Sequence, residues 1–352
     1  MTTTTPLLTA ESFDRLAGWL ATALEAEAVT IVRTEKLAGG AVQENWGLDV
    51  EIEGGPRAGP QALVLRTDAL ARISVSLDRA AEFTVLQAAH AAGVAVAEPI
   101  VRCADAGVIG RPFLIQRRVP GFAQARKLVR DPALESYGDT LAERLGAELA
   151  RIHTLDPTGA KLAALPIPVG PPARVEVGRF RAALDGATEA RPALEYVLTW
   201  LDRNAPAARR VALVHGDYRT GNYMVEGQAL SAVLDWEFAH WGDPNEDIGW
   251  FMARCWRFGN DTAEAGGIGA RTAFNKGYER VAGHAVDAAA IAYWEIMAAA
   301  KWATIAVLQG DRFRKGGEAS IELALTGLMT PEMELDALDG ILAIEKAKGA
   351  GR

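Results

Sequence analysis

Leu213–Val225 reads LVHGDYRTGNYMV, and Ser231–Phe251 reads SAVLDWEFAHWGDPNEDIGWF. Both runs alternate short apolar pieces with polar loops. Val211–Val214, Tyr223–Val225 and Ala232–Leu234 have the composition of strands, and His215–Asn222 is the loop between the first two. Three oxygen-bearing side chains, Asp217, Asn222 and Asp235, fall at strand ends or in that loop. A rigid scaffold can aim side chains from such places.

Outward from this island the two directions differ. On the N-terminal side, residues 10–28 carry Phe13, Leu16, Ala17, Leu20 and Leu24 at helical spacing. Val29–Val32, Trp46–Ile52 and Ala62–Arg66 are β-prone, separated by Gly39-Gly40 and Gly54-Gly55-Pro56, which predicts an antiparallel sheet with tight turns. A helix is expected over Ser76–Ala92, ended by Gly93, then strands near Val101–Cys103 and Pro112–Gln116. Beyond Pro120-Gly121 helical periodicity dominates, as in Tyr137–His153 with Leu141, Leu145, Leu149 and Ile152 on one face. Pro166–Pro172 reads as a loop, and helices resume after the island. The pattern is α+β: a strand-rich N-terminal lobe over 1–117 and a larger helical lobe over 118–352, joined near Gln116–Gly121.

Length and composition bound what the chain can be. At 352 residues, 49% hydrophobic and 23% charged, it can bury two cores and is expected to be ordered. A formal net charge of −8 argues against a nucleic-acid partner. The most apolar stretch, Ile291 to Leu308, carries Glu295 and Lys301 and reads as a core helix, not a membrane span. MTTTTPLL lacks the basic and apolar run of a secretory signal, and Cys103 and Cys255 are too few for a disulfide framework or a four-cysteine zinc site. A cytoplasmic setting is expected.

The three oxygen donors match the needs of phosphoryl transfer. The transferring group is loose and highly charged, so a protein positions it and neutralises its oxygens. One carboxylate must accept the proton of the attacking hydroxyl, and hard oxygen ligands must hold magnesium against the phosphates. His215-Gly216-Asp217, followed by four residues and Asn222, has the spacing in which Asp is the base and Asn binds metal. Asp235, after an apolar triplet and before Trp236, stands where a second metal-binding Asp is expected.

This segment resembles the aminoglycoside phosphotransferase and choline kinase family, small-molecule relatives of protein kinases. The shared pattern is His-Gly-Asp–x4–Asn, an apolar strand ending Asp-Trp, then Gly-Asp-Pro-x-x-Asp, here Gly242-Asp243-Pro244 and Asp247. LAGGAVQENW, ALVLR, GRPFLIQRRVPG and HGDYRTGN are similar to the branch found as a kinase-like domain attached to some acyl-CoA dehydrogenases. The resemblance implies a two-lobed protein-kinase-like fold with ATP or GTP between the lobes. It implies Asp217 as base, Asn222 and Asp235 as Mg2+ ligands, and Asp247 bracing the loop from a helix start. It also implies Gly39 and Gly40 near the phosphates, and Glu82 paired with a strand-three cation at the α- and β-phosphates. The adenine edge would fall to backbone groups of Gln116–Arg118. That strand-three cation is Arg66 where the wider family has Lys, and arginine is a bulkier, forked donor.

Other classes fare worse. No Gly-x-x-x-x-Gly-Lys-Ser/Thr string is present, and the five histidines are scattered. Arg66 favours one rival, a nucleotide-binding pseudokinase with little or no turnover. An antibiotic phosphotransferase is another, but Phe274 to Leu308, the expected acceptor region, offers few acids for a polycation: Glu279, Asp287 and Glu295. The expected partner is a small hydroxyl compound of low positive charge, with a hydroxyacyl compound suggested by the branch. His153, His215 and His240 read as structural, and Trp294, Met297 and Trp302 as core.

Overall fold

The computed structural model describes residues 10–37, 43–68, 76–158, 162, 165–316 and 320–350. The chain divides into two compact units. The first takes the chain up to Gly121 together with Met224–Glu226 and Ser231–Ala239; the second takes Phe122–Tyr223, Gly227–Leu230 and the chain from His240 on. The division after Gly121 falls close to the change of character seen in the sequence. Its discontinuity has no sequence signal.

The first unit is built on α1 (Ala10–Ala23), β1 (Ala28–Leu37), β2 (Gln43–Glu53), β3 (Gly59–Asp68), α2 (Arg79–Ala91), β4 (Pro99–Cys103), α3 (Ala106–Ile109) and β5 (Phe113–Arg117). The strands form an antiparallel sheet in the order β1-β2-β3-β5-β4. Period-two alternation divides its faces. Leu48, Val50, Ile52, Leu63, Leu65, Phe113 and Ile115 pack on Leu16 and Leu20 of α1 and on Leu24 just beyond it. The register Gln43↔Asp68, Arg66↔Leu114 and Val64↔Gln116 puts these residues on the other face. Two expectations needed correction. α1 ends at Ala23, short of residue 28, because Glu25 turns left-handed (φ 55°) and Glu27 N–H already pairs with Glu53 O. β1 runs on through Arg33–Lys36, whose polar side chains hid the strand; an edge strand tolerates them.

The returning piece of the first unit comes from the hairpin β7 (Tyr223–Glu226)–β8 (Ala229–Val233). Val233 N–H donates to Ala95 O at 2.7 Å, and Leu77 N–H donates to Glu237 O at 2.7 Å. These bonds seat the turn carrying Asp235 beside the start of α2.

The second unit contains α4 (Ala125–Val129), α5 (Leu134–Ile152), α6 (Pro172–Leu184), α7 (Pro192–Arg203), β6 (Ala212–Val214), β9 (His240–Gly242), α8 (Pro244–Met252), α9 (Arg271–Ala282), α10 (Ala288–Arg314), α11 (Ile321–Leu328) and α12 (Thr330–Ala350). β6 and β9 pair antiparallel. Val177, Leu194, Leu198, Leu201, Trp294, Met297, Ala300, Met333 and Ile341 form its main core, from α6, α7, α10 and α12. α10 is long and apolar enough to cross a bilayer by length and composition, yet 67% of that stretch is buried. α5 and α9 pack backbone to backbone: a Cβ at Gly277 would lie 1.8 Å from Glu143 O.

Candidate active site

Each unit holds one cluster of the residues singled out above. In the first unit, β3 carries Arg66 on the face away from α1. Its Nη2 lies 3.1 Å from Asp235 Oδ1 and 3.2 Å from Glu82 Oε1, and it donates to Gln43 Oε1. Glu82, one turn into α2, has a fully buried side chain and also pairs with Arg79, whose Nε is 2.9 Å from Asp68 Oδ1. Gln43 Nε2 donates to Glu237 Oε2 at 2.8 Å. The structure thus brings Arg66, Glu82 and Asp235 together and adds Gln43, Asp68, Arg79 and Glu237. Burial alone would lower the Arg66 pKa, but Glu82, Asp235 and Glu237 outweigh it and hold the guanidinium charged. Burial pushes the Glu237 carboxyl up, and the neighbouring Asp235 and Glu82 add to it.

Asp235 adopts a left-handed backbone (φ 58°, ψ 62°) before the turn Trp236–Phe238, and its side chain is 35% exposed. Such a conformation is costly for a residue other than glycine and is met where a side chain must be aimed. Gln116 lies buried on the Arg66 face of β5. The amides of Arg117 and Arg118 donate to Glu98 O and Ala62 O, both at 2.9 Å, so these two adenine-edge candidates already have backbone acceptors. Arg118 pairs with Asp49 and Arg117 with Glu98, which ties down both side chains. Gly39 and Gly40 lie outside the described residues.

In the second unit, Asp217 stands in the loop after β6. Its Oδ1 accepts from Trp250 Nε1 (2.8 Å) and its Oδ2 from Asn222 Nδ2 (2.6 Å); Arg219 Nε reaches both oxygens, at 3.1 and 3.2 Å. Arg219 in turn lies 4.4 Å from the Trp256 ring centroid. Asn222 Nδ2 also donates to Asp217 O at 2.9 Å, so Asn222 turns its amide nitrogen to Asp217 and keeps its carbonyl oxygen, the atom with affinity for a hard cation, on the other side of the group.

The loop is held from beneath. Asp247, in the first turn of α8, accepts from His215 N–H at 2.6 Å and Gly216 N–H at 2.9 Å. His153, capping α5, lies 3.1 Å from Asp247 Oδ2 through Nε2 and 2.9 Å from Tyr278 OH through Nδ1. Gly216 has φ +77°, which a side chain would resist. Burial works to raise the Asp247 pKa, but the His153 contact and the amides prevail and lower it. Asp243 caps α8 through Asn245 N–H at 2.9 Å. Burial pushes the Cys255 thiol up to about 12, which removes it as a nucleophile. Arg219, Trp250 and Lys301, whose Nζ donates to Gly216 O at 2.6 Å, were missed in the sequence; Arg219 alone had a local signal, two residues from Asp217.

Among the described residues no group of three or more His, Cys, Asp or Glu is arranged to hold a metal ion. A cavity of about 530 Å3 lies in the second unit between the 253–257 segment, α9, α10 and α12.

Comparison with known proteins fixes the class. A Ralstonia eutropha protein provisionally described as an aminoglycoside phosphotransferase superposes with a TM-score of 0.73 at 23% identity, covering 93% of this chain and 97% of that one. APH(2″)-IIa, solved with streptomycin and ATP, gives 0.57 at 15% identity, covering 89% and 96%. An antiparallel sheet followed by a mainly helical region is therefore the kinase-like architecture of aminoglycoside phosphotransferases. Residues 49–284 match the profile of the Phosphotransferase enzyme family, and the chain belongs to that family. Acyl-CoA dehydrogenase family member 10 of Mus musculus is 31% identical over 180 residues, 47% of this chain but 16% of that protein.

Proposed function

We propose that the chain transfers the γ-phosphate of ATP or GTP to a hydroxyl of a small molecule, with Asp217 as the base. The observation that carries this is the Asp217 carboxylate itself. Three side-chain donors fix it on a loop whose amides are bound to a buried aspartate. A carboxylate so oriented can accept a proton along one direction, as a general base must. Arg66, held by its pair with Glu82, would contact the α- and β-phosphates, with Gly39 and Gly40 near the phosphates and backbone groups of Gln116–Arg118 at the adenine edge. Asn222 and Asp235 would hold Mg2+, which when bound neutralises phosphate charge. Arg219 adds a cation next to the base.

The acceptor reading rests on the 530 Å3 cavity. Cys255 and Arg257 in its wall flank Trp256, on which Arg219 rests. Its carboxylates are matched: Glu295 and Glu264 pair with Arg271, and Asp336 with Arg254. A polycation finds no unpaired acid among them, whereas a neutral or weakly charged compound with an apolar part fits Ile291 and Met333. A hydroxyacyl compound has this character.

The test is a screen of hydroxyl compounds with γ-labelled ATP and GTP. Transfer should require Mg2+ and fall by about 10²–10⁴-fold in Asp217→Asn. Magnesium-dependent nucleotide binding without transfer to any compound would instead mark a pseudokinase. Strong turnover of kanamycin-like acceptors would overturn the acceptor reading alone.

A further inference from the structure

We infer that Lys301 and Trp250 are positioning residues that together orient Asp217, one through the loop backbone and the other through the carboxylate. The inference rests on the phosphoryl-transfer reading above and adds two residues to it.

Trp250 and Asp247 are three residues apart on α8 and so share a face. Asp247 takes the N–H groups of His215 and Gly216, while Trp250 Nε1 donates to Asp217 Oδ1 at 2.8 Å. Lys301 comes from α10. Its ammonium donates to Gly216 O at 2.6 Å and stands 4.4 Å from the centroid of the Trp250 ring. The glycine before the base is therefore gripped from both sides, N–H by a carboxylate and C=O by an ammonium. The same ammonium rests on the ring whose N–H holds the base.

A plain counter-ion role for Lys301 is the competing reading. Glu176 and Glu246 are buried nearby and line one small cavity with Trp250 and Lys301. Burial and Glu246 push Glu176 up; burial would also raise Glu246, but His240 and Lys301 turn it downward. Lys301 thus contributes to the field at both acids. Yet the groups its ammonium touches are a neutral carbonyl and a ring face, at charge-assisted hydrogen-bond and cation–π distances. Neutralising acids needs neither contact. Orienting a loop needs both.

The experiment uses the full chain and water as acceptor, reading phosphate release from Mg-ATP and Mg-GTP. Lys301→Met should lower kcat by about ten- to a hundredfold with nucleotide KM little changed, since displacing a reacting group by an ångström has that effect. Lys301→Arg should recover most of the rate. Trp250→Phe keeps a ring under the ammonium but removes the N–H donor, and should cost about tenfold in kcat. The double variant should lose less than the product of the single losses, because both act on one carboxylate. Additive losses, a change confined to KM, or wild-type rates in Lys301→Met and Trp250→Phe beside an inactive Asp217→Asn would each overturn the inference alone. Should Lys301→Met fail to fold by thermal unfolding, Trp250→Phe and Lys301→Arg decide: wild-type kcat in the first, or no activity in a folded second, overturns it. Equal rates for wild type and Asp217→Asn would instead sink the phosphoryl-transfer reading, and this inference with it.

Discussion

The two units hold their candidate residues by opposite means. In the first, charged side chains grip one another: Arg66 and Arg79 converge on Glu82, with Asp68, Gln43 and Asp235 around them. In the second, charged side chains grip the main chain: Asp247 takes two amides and Lys301 one carbonyl. A lattice of ion pairs can exchange partners when a phosphate or a cation arrives, with no backbone displacement. A loop tied by its own peptide groups cannot. The first arrangement suits binding a changing set of charges, and the second suits holding one base in one place.

The largest effect that sharpens this contrast is on stability in the second unit. Asp247→Asn preserves shape, but a carboxamide accepts from one side only and presents N–H2 to an N–H. Leaving a buried amide unmatched and removing the charge should cost about 3–5 kcal/mol, read by urea unfolding. The pH dependence has a definite sign. The folded Asp247 pKa lies below its unfolded value, so its contribution is complete above the ordinary aspartate range and is lost as pH falls through the lowered value. The wild type should lose stability on acidification below about pH 4, and Asp247→Asn should show a flatter acid limb. An unchanged urea midpoint would show that the loop does not depend on this carboxylate.

Glu82→Gln is the matching test in the first unit, and a smaller loss is expected. The amide leaves Arg66 with Asp235 and Arg79 with Asp68, so each cation keeps one acid. A cost of about 2–3 kcal/mol follows, below that of a buried pair broken outright. A loss equal to that of Asp247→Asn would mean that the lattice is as rigid as the tied loop, and the contrast would fail.

How much of this could be read from the chain follows from sequence distance. The sheet was legible because Leu48, Val50 and Ile52 alternate and glycines mark the turns. The loop was legible because Asp217, Asn222 and Asp235 lie within one short segment, with Asp247 close behind. Lys301 is 85 residues from Gly216, on a helix whose apolar pattern announces only a core, and Trp250 is 33 residues from Asp217. Arg79 looks like any helix-start residue until α2 docks beside Asp68. β9 was missed because three residues, His240–Gly242, carry no period of their own. The cavity's α12 wall could not be foreseen, since only tertiary packing brings Met333 to Ile291.

The smallest effect is expected at Arg66, which stands where the resemblance to the wider family leads one to expect a lysine. Arg66 contacts Gln43, Glu82 and Asp235 through the nitrogen Nη2, and its buried Nε finds no hydrogen-bond partner among the described residues. A guanidinium is used here as a point donor, a task for which an ammonium with three hydrogens is also suited. Arg66→Lys removes the unmatched N–H but reaches less far, and these effects oppose each other. Stability should change by about 1 kcal/mol or less on urea unfolding, and nucleotide turnover should survive. If Arg66→Lys instead abolishes nucleotide binding while the protein stays folded, the second nitrogen of the fork must hold phosphate. The first unit would then be built for an arginine, and its ion lattice would be less interchangeable than the comparison with the tied loop assumes.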